Sequence, residues 1–258
     1  MHYQLDTRLK RLRAEKPLVL CLMNAVTMNF VANSLLSLGA APIMSQADDE
    51  LEALVAMSRA LYVNIGTLDR QFIERIDKAC RLATIHRKPI ILDPVGAGAS
   101  QIRTLTARQL APQAAIIRGN ASEIMALMAD KSVSKGVETL HSVEAASTAA
   151  RSLSQQTSAI VVVSGPVDFI TDGRLCCHVA YGSPLMPLVT GMGCALTAII
   201  AAFAAMESTF YEAAAAATAY VGLCGQAAHG LANGPASFQS AFIDALYQTP
   251  LEERDYAL

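Results

Sequence analysis

Apolar residues along this chain fall into two alternating kinds of run. One kind is short and apolar at nearly every position, at residues 17–23, 60–65, 89–93, 114–117 and 159–164. The other is longer, with apolar residues three to four positions apart, at 27–38, 48–58, 69–86, 122–128 and 143–156. A short apolar run closed by a turn predicts a strand buried on both faces, and a period near 3.6 predicts a helix. Residues 42–44 add a short extended piece. Gly39 is placed to cap one helix at its C-terminus, and Asp69 to cap another at its N-terminus. Asp48 and Asp49 fall in the predicted first turn of 48–58, where the helix dipole favours acids. Residues 167–171 and 175–179 flank Asp172-Gly173 and predict a hairpin with an Asp-Gly turn. After Gly193 the pattern is helical almost to the end.

Strands that are apolar throughout and alternate with helices imply an α/β fold, a mostly parallel sheet covered on both faces, with the antiparallel hairpin at one edge. No shift in composition marks a linker, and residues 1–258 read as a single domain. Two uncharged runs, 194–206 and 213–228, are shorter than the roughly 20 residues of a spanning helix and read as helices buried on nearly all sides. No membrane association is expected.

Composition narrows the classes. Hydrophobic residues are 53% of the chain and charged residues 16%, which excludes a disordered chain. Lys plus Arg number 20 against 22 Asp plus Glu. A near-neutral chain without a basic run is not a nucleic-acid binder. Six cysteines show no C-x-x-C pair and sit mostly in apolar stretches, so neither zinc nor a disulfide framework is indicated. That usage fits a reducing, cytoplasmic compartment. The charged segment before Lys16 has no apolar core and is not expected to be a signal peptide. His86, His141, His178 and His229 lack metal-ligand spacing. No G-x-S-x-G elbow exists, which disfavours serine-hydrolase chemistry.

Polar and glycine residues collect just after successive strands: Asn24, Asn64 to Thr67, Asp93 to Gly96, Arg118 to Asn120, and Ser164-Gly165. In open α/β sheets that is where ligands bind. The segment Gly191-Met192-Gly193-Cys194 opens an apolar helix, as does an anion site built from backbone N–H groups. A cysteine there is expected to have a lowered pKa, although a glycine-rich helix start with a packed cysteine fits the same residues. Asn120 and Glu123 are spaced as a capping box. The same Glu123 together with Asp93 could reach a shared Mg²⁺, directly or through water. Arg118 then suits a phosphate by its bidentate fork, or else forms a surface ion pair.

Taken in order, these segments resemble one family. Asn24, Pro42-Ile43-Met44, Asn64-Ile65-Gly66-Thr67, Asp93-Pro94-Val95-Gly96-Ala97-Gly98, Arg118-Gly119-Asn120-Ala121-Ser122-Glu123, Val163-Ser164-Gly165, Gly191-Met192-Gly193-Cys194 and Gly234-Pro235-Ala236-Ser237-Phe238 follow the hydroxyethylthiazole kinase family of the ribokinase-like superfamily. The resemblance spans roughly residues 16–247. It implies a ribokinase-like three-layer α/β/α fold and ATP- and Mg²⁺-dependent phosphorylation of the primary alcohol of hydroxyethylthiazole, a step of thiamine salvage. It also implies a homotrimer with active sites between subunits. Residue by residue, Met44, Gly191, Asn24 and Gly66 fall on the thiazole side, and Arg118, Ser164, Asn120 and Gly193 on the ATP side. Asn120 and Glu123 match the superfamily's N-x-x-E metal segment, with Asp93 the second carboxylate toward the metal, and Cys194 falls on the catalytic position. The chain departs from the family at Ala25, Met192, Ser164 and Ala236. Other readings on the same fold are a kinase for another small heterocyclic or sugar alcohol and a non-catalytic ligand-binding relative. An ATP-dependent dehydratase would be expected to carry an acid where Cys194 stands.

Overall fold

A computed structural model describes residues 2–129 and 143–248. In chain order the described residues form α1 (His2–Glu15), β1 (Leu18–Leu22), α2 (Met28–Leu38), β2 (Ala41–Ile43), α3 (Leu51–Met57), β3 (Ala60–Asn64), α4 (Arg70–Ile85) and β4 (Ile90–Asp93). There follow α5 (Gln101–Leu110), β5 (Ile116–Asn120), α6 (Ala121–Met128), α7 (Val143–Thr157), β6 (Ile160–Ser164), β7 (Asp168–Thr171) and β8 (Cys176–Val179). The last helices are α8 (Met192–Ala204), α9 (Phe210–Leu231) and α10 (Pro235–Gln248).

One sheet runs through the middle in the order β2-β1-β3-β4-β5-β6-β7-β8. The first six strands in that order are mutually parallel, and β7 and β8 close the edge antiparallel. Side chains alternate across the sheet, so Val19, Cys21 and Tyr62 face one layer while Leu20, Leu22 and Val63 face the other. The first layer is α1, α2, α8, α9 and α10, and the second is α3 to α7. This is the expected three-layer arrangement.

The uncharged runs become α8 and α9. Every residue of α8 except Gly193 is buried, which explains why its sequence shows no polar face. Among the described residues, no helix is long and apolar enough to cross a membrane.

Several predicted boundaries shift for local reasons. α3 begins only at Leu51, because Asp48 is drawn off to Arg75, whose Nε donates to it at 2.9 Å. The strand expected at 114–117 runs instead from Ile116 through Asn120, since its parallel pairing with β6 continues as far as Asn120↔Ser164. The hairpin register pairs Thr171 with Cys176, leaving a four-residue connection in which Asp172 Oδ1 accepts from the N–H groups of Arg174 and Leu175. α1 and α5 have no counterpart in the apolar pattern; among the described side chains of α1, Leu5, Leu9 and Leu12 are buried.

Gly39 caps α2 as expected, with φ +105° and its N–H on the Leu35 and Leu36 carbonyls. A Cβ at this position would stand 2.7 Å from Arg13 Cγ. Arg13 in turn donates to the Leu38, Leu246 and Tyr247 carbonyls, so it cannot easily move. Gly39→Ala should therefore destabilise the fold by at least the roughly 1–2 kcal/mol of a left-handed residue with a side chain. Urea denaturation checks this, and an unchanged midpoint would contradict it.

Candidate active site

The strand order reverses between β1 and β3, since the chain leaves β1 toward β2 on one side and returns to β3 on the other. Such a switch point opens a crevice at the carboxyl ends of the strands. Asn24 follows β1 there and Asn64 ends β3. Asn24 Nδ2 donates to Asn64 Oδ1 at 3.0 Å, and both amides point donors at Cys194 Sγ, at 3.6 Å and 3.3 Å. Asn24 Oδ1 accepts from Thr27 N and Thr27 Oγ1. Gly66 N donates to Asn64 Oδ1, and a Cβ on Gly66 would stand 2.9 Å from Asn24 Cβ.

α8 brings Cys194 to this crevice. Gly191 caps it in the left-handed region, φ +94°, and a side chain there would meet Thr27 Cβ at 2.9 Å. The first intrahelical bond runs from Ala195 N to the Gly191 carbonyl, so the N–H groups of Gly193 and Cys194 precede it at the positive end of the helix.

Asp93, the last residue of β4, lies fully buried beside this network. Its Oδ2 accepts from Tyr62 Oη, Asn64 Nδ2 and Thr197 Oγ1 at 3.1, 2.8 and 3.1 Å. Its Oδ1 has no hydrogen-bond partner and lies 3.9 Å from Arg118 Nη1. Burial, ahead of every attractive contact, raises the Asp93 pKa to about 6.

Cys194 corrects the expectation from sequence. Its thiol pKa is raised, not lowered: burial pushes it up and the Asp93 charge adds to that, outweighing Thr27, Asn64 and Arg118, which pull it down. A helix N-terminus stabilises a thiolate only where desolvation does not dominate.

Arg118 projects from β5 and donates to Ser164 Oγ on β6. It occupies the space left by Gly193, where a Cβ would stand 2.8 Å from Nη2. Arg118, Asn120, Ser164 and Gly193 line one wall of a cavity of about 750 Å³. The remaining walls are mainly apolar, with Met186, Met192, Leu196 and Val221. That volume and its mix of polar and apolar walls suit a drug-sized or nucleotide-sized ligand.

The capping box is present in full. Asn120 Oδ1 accepts from Glu123 N at 2.9 Å, and Glu123 Oε2 accepts from Asn120 N at 2.8 Å. Glu123 Oε1 also accepts from Gly96 N at 2.9 Å, so this carboxylate ties the loop after β4 to the start of α6. Both Glu123 oxygens thus accept backbone N–H groups, whereas the buried Asp93 keeps Oδ1 without a hydrogen bond. Among the described residues, no group of three or more His, Cys, Asp or Glu could hold an ion.

Met44 follows the edge strand β2 and is half-buried against the core layer that holds Cys194. It does not line the 750 Å³ cavity. Of the histidines, His178 lies with its ring tilted against Phe169 and His229 Nδ1 meets Ser183 Oγ; His141 lies outside the described residues. Tyr62, Thr197 and Thr27 join the network without a signal in the strand-end pattern that marks Asn64 and Asp93. Asn64 carried a signal, a polar residue closing an apolar strand just as Asp93 does. Tyr62 lies two residues earlier on the same strand face, and Thr197 one helical turn beyond Gly193.

Asp168, at the start of β7, borders the cavity; burial lifts its carboxyl to about 6 despite the Gly165 N–H it accepts at 2.9 Å. An unfolded aspartate titrates at about 3.9. Between these values the folded chain holds more protons than the unfolded one, so stability falls as pH rises. The contribution is full below about 4 and lost by the time pH passes the folded value. Asp168→Asn should flatten part of this fall, read as urea midpoints across the same window. Parallel curves for variant and parent would count against a raised Asp168.

A family model described as the hydroxyethylthiazole kinase family matches residues 9–252. A hydroxyethylthiazole kinase from Cereibacter sphaeroides strain KD131 is 47% identical over 96% of this chain and 95% of its own. One from Psychromonas ingrahamii is 48% identical over 93% of this chain and 90% of its own. The structure of the hydroxyethylthiazole kinase from Pyrococcus horikoshii OT3 superimposes with a TM-score of 0.88 at 35% identity, covering 95% and 93% of the two chains. A Staphylococcus aureus pyridoxal kinase in complex with AMP-PCP shares the fold, with a TM-score of 0.63 at 18% identity over 82% and 88%.

Proposed function

The chain belongs to the hydroxyethylthiazole kinase family, and from this premise we propose that it transfers the γ-phosphoryl group of ATP to the primary alcohol of hydroxyethylthiazole. The observation that carries the reading is the adjacency of two unlike sites. The Asn24–Asn64–Cys194 crevice adjoins a 750 Å³ cavity walled by Arg118, Asn120, Ser164 and Gly193. The α8 N-terminus belongs to both.

The nucleotide occupies the cavity, with Arg118 and Ser164 toward its phosphates and the apolar walls toward its base. Met192 lies on those walls, on the nucleotide side. The thiazole is held from the β1 and β2 side, where Met44 offers a soft thioether to a flat sulfur-containing ring. Gly66 and Gly191 border it, their missing side chains letting Asn24 and Thr27 pack close. The N–H groups of Gly193 and Cys194 stabilise charge on the transferring phosphoryl, which needs mainly positioning and neutralisation.

Cys194 enters as a neutral thiol, since burial and Asp93 oppose its ionisation. It fixes the alcohol in line with the phosphorus instead of supplying a preformed thiolate base. A loose transition state asks little of a base. Mg²⁺ bound together with ATP would be held chiefly by the phosphates and water. Asp93 and Glu123 hold that region negative, and the unpartnered Asp93 Oδ1 is the one carboxylate oxygen of the pair left without a hydrogen bond. The ion supplies charge neutralisation at the phosphates when bound.

We further propose a cytoplasmic homotrimer with active sites between subunits. Support comes from exposed Val26 and Leu188, 71% and 62% accessible, which flank a second cavity of about 500 Å³ beside Thr27 and Thr190. A neighbouring copy would cover these apolar groups. Sedimentation equilibrium should give three times the chain mass; a monomer at assay concentrations would overturn the assembly.

The decisive assay incubates the protein with ATP, Mg²⁺ and hydroxyethylthiazole, and detects the product by mass. Thiazole phosphate should form in step with ADP, and its absence from folded, ATP-binding protein would sink the reading. Arg118→Ala should raise KM for ATP about tenfold or more while the fold persists, as expected for loss of a charged contact of about 1.5–3 kcal/mol. Cys194→Ala should lower kcat by less than the ~10²–10⁴ factor of an obligate proton acceptor.

A further inference from the structure

We propose that Arg103, on α5, is a positioning residue that sets the distance between the acceptor alcohol and the transferring phosphoryl group. Its guanidinium bridges two loops. Nη1 donates to the Val95 carbonyl at 2.8 Å and to the Ile65 carbonyl at 3.4 Å, and Nη2 donates to the Gly66 carbonyl at 2.8 Å. Ile65 and Gly66 follow β3; Val95 follows β4. The two strands are in register at their ends, Asn64 against Asp93. The sheet itself therefore aligns the last strand residues and leaves the loops beyond them to be fixed by something else.

Each loop serves a different half of the site. Gly66 N is bonded to Asn64 Oδ1, and Asn64 holds Cys194. That is the alcohol side. Gly96 N is bonded to Glu123 Oε1, whose other oxygen caps α6 beneath the cavity wall at Asn120. That is the phosphate side. Arg103 also packs against Gly96, which has φ +75° and where a Cβ would stand 2.9 Å from Nη1 and 3.0 Å from Cδ. The absence of a side chain at 96 is thus what admits the arginine.

The bonding is that of a spacer, not an ion pair. All three acceptors are backbone carbonyls, and among the described residues no carboxylate lies within ion-pair distance of Arg103. A planar fork can satisfy carbonyls from two loops at once and so fixes their separation; a lysine ammonium reaches them only one at a time from a flexible stem. Phosphoryl transfer is sensitive to that separation, since misplacement by about 1 Å can cost on the order of 10²-fold in rate. The inference rests on the proposed kinase reading.

The test compares wild type, Arg103→Ala, Arg103→Lys and Cys194→Ala under saturating ATP and thiazole. In Arg103→Ala, kcat per folded molecule should fall about a hundredfold, with KM for ATP within about twofold because the cavity walls are untouched. Water should compete for the phosphoryl group: its oxygen attacks the γ-phosphorus as the bond to ADP breaks, giving inorganic phosphate. The ratio of ADP to thiazole phosphate should therefore rise above that of wild type. Guanidinium ion at sub-denaturing concentration should restore rate to Arg103→Ala and not to Cys194→Ala. If the alanine variant does not fold, Arg103→Lys carries the test, with a smaller loss and the same shift in product ratio.

A folded variant with wild-type kcat, or one whose lost activity matches its lost folded fraction with an unchanged product ratio and no rescue, would overturn the role of Arg103. Wild-type protein that makes no thiazole phosphate would instead overturn the kinase reading on which it stands.

Discussion

The side-chain amide of Asn64 is fully buried, and every polar atom on it is committed. Its Oδ1 accepts hydrogen bonds from Asn24 Nδ2 and Gly66 N, and its Nδ2 faces Tyr62, Asp93 and Cys194. The Gly66 N–H fixes which end of the amide is oxygen, and so aims its donors at the sulfur and the carboxylate. Through this one group the ends of β1, β3 and β4 are joined to the start of α8. A buried amide left unpaired costs about twice what a paired one gains, which ties the members of the arrangement to one another.

Charge is managed around that amide by exclusion of water. Asp93 is denied solvent and receives three neutral donors on one oxygen, while the other oxygen is left without one. Arg118, which would neutralise it, stands 3.9 Å away and is also bonded to Ser164. This division leaves the guanidinium shared between a buried acid and the open cavity. Cys194 is held protonated by the same desolvation. The helix dipole of α8 is then available to a ligand rather than spent on a thiolate.

Glycines mark where backbone and side chain must come close. Gly193 yields its place to Arg118, Gly191 lets α8 start against Thr27, and Gly96 admits Arg103. Glu123 shows that a structural and a functional assignment need not compete. Its capping bonds to Asn120 and Gly96 build the cavity wall that Asn120 lines.

The alternation of short apolar runs with periodic ones determined the layered α/β fold, the parallel sheet and its antiparallel edge. The inner strands β1, β3, β4 and β6 are buried on both faces and must read as apolar, so the signal is strong and local. The polar residues closing those strands, Asn24, Asn64, Asp93, Asn120 and Ser164, marked the site's edge for the same reason. Gly39, Asp69 and the Asn120–Glu123 box were legible because caps use short-range bonds. α1 and α5 were not, since their few core contacts are scattered among polar residues whose partners lie far along the chain. The ionisation of Cys194 was misjudged from sequence because a helix N-terminus is visible there and desolvation is not. Only the folded chain decided that the strand order reverses between β1 and β3, that Cys194 meets two amides 170 and 130 residues away, and that Arg103 spans two loops. Those outcomes depend on which elements become neighbours, and neighbourhood across a sheet is set by packing of whole layers, which no local pattern records.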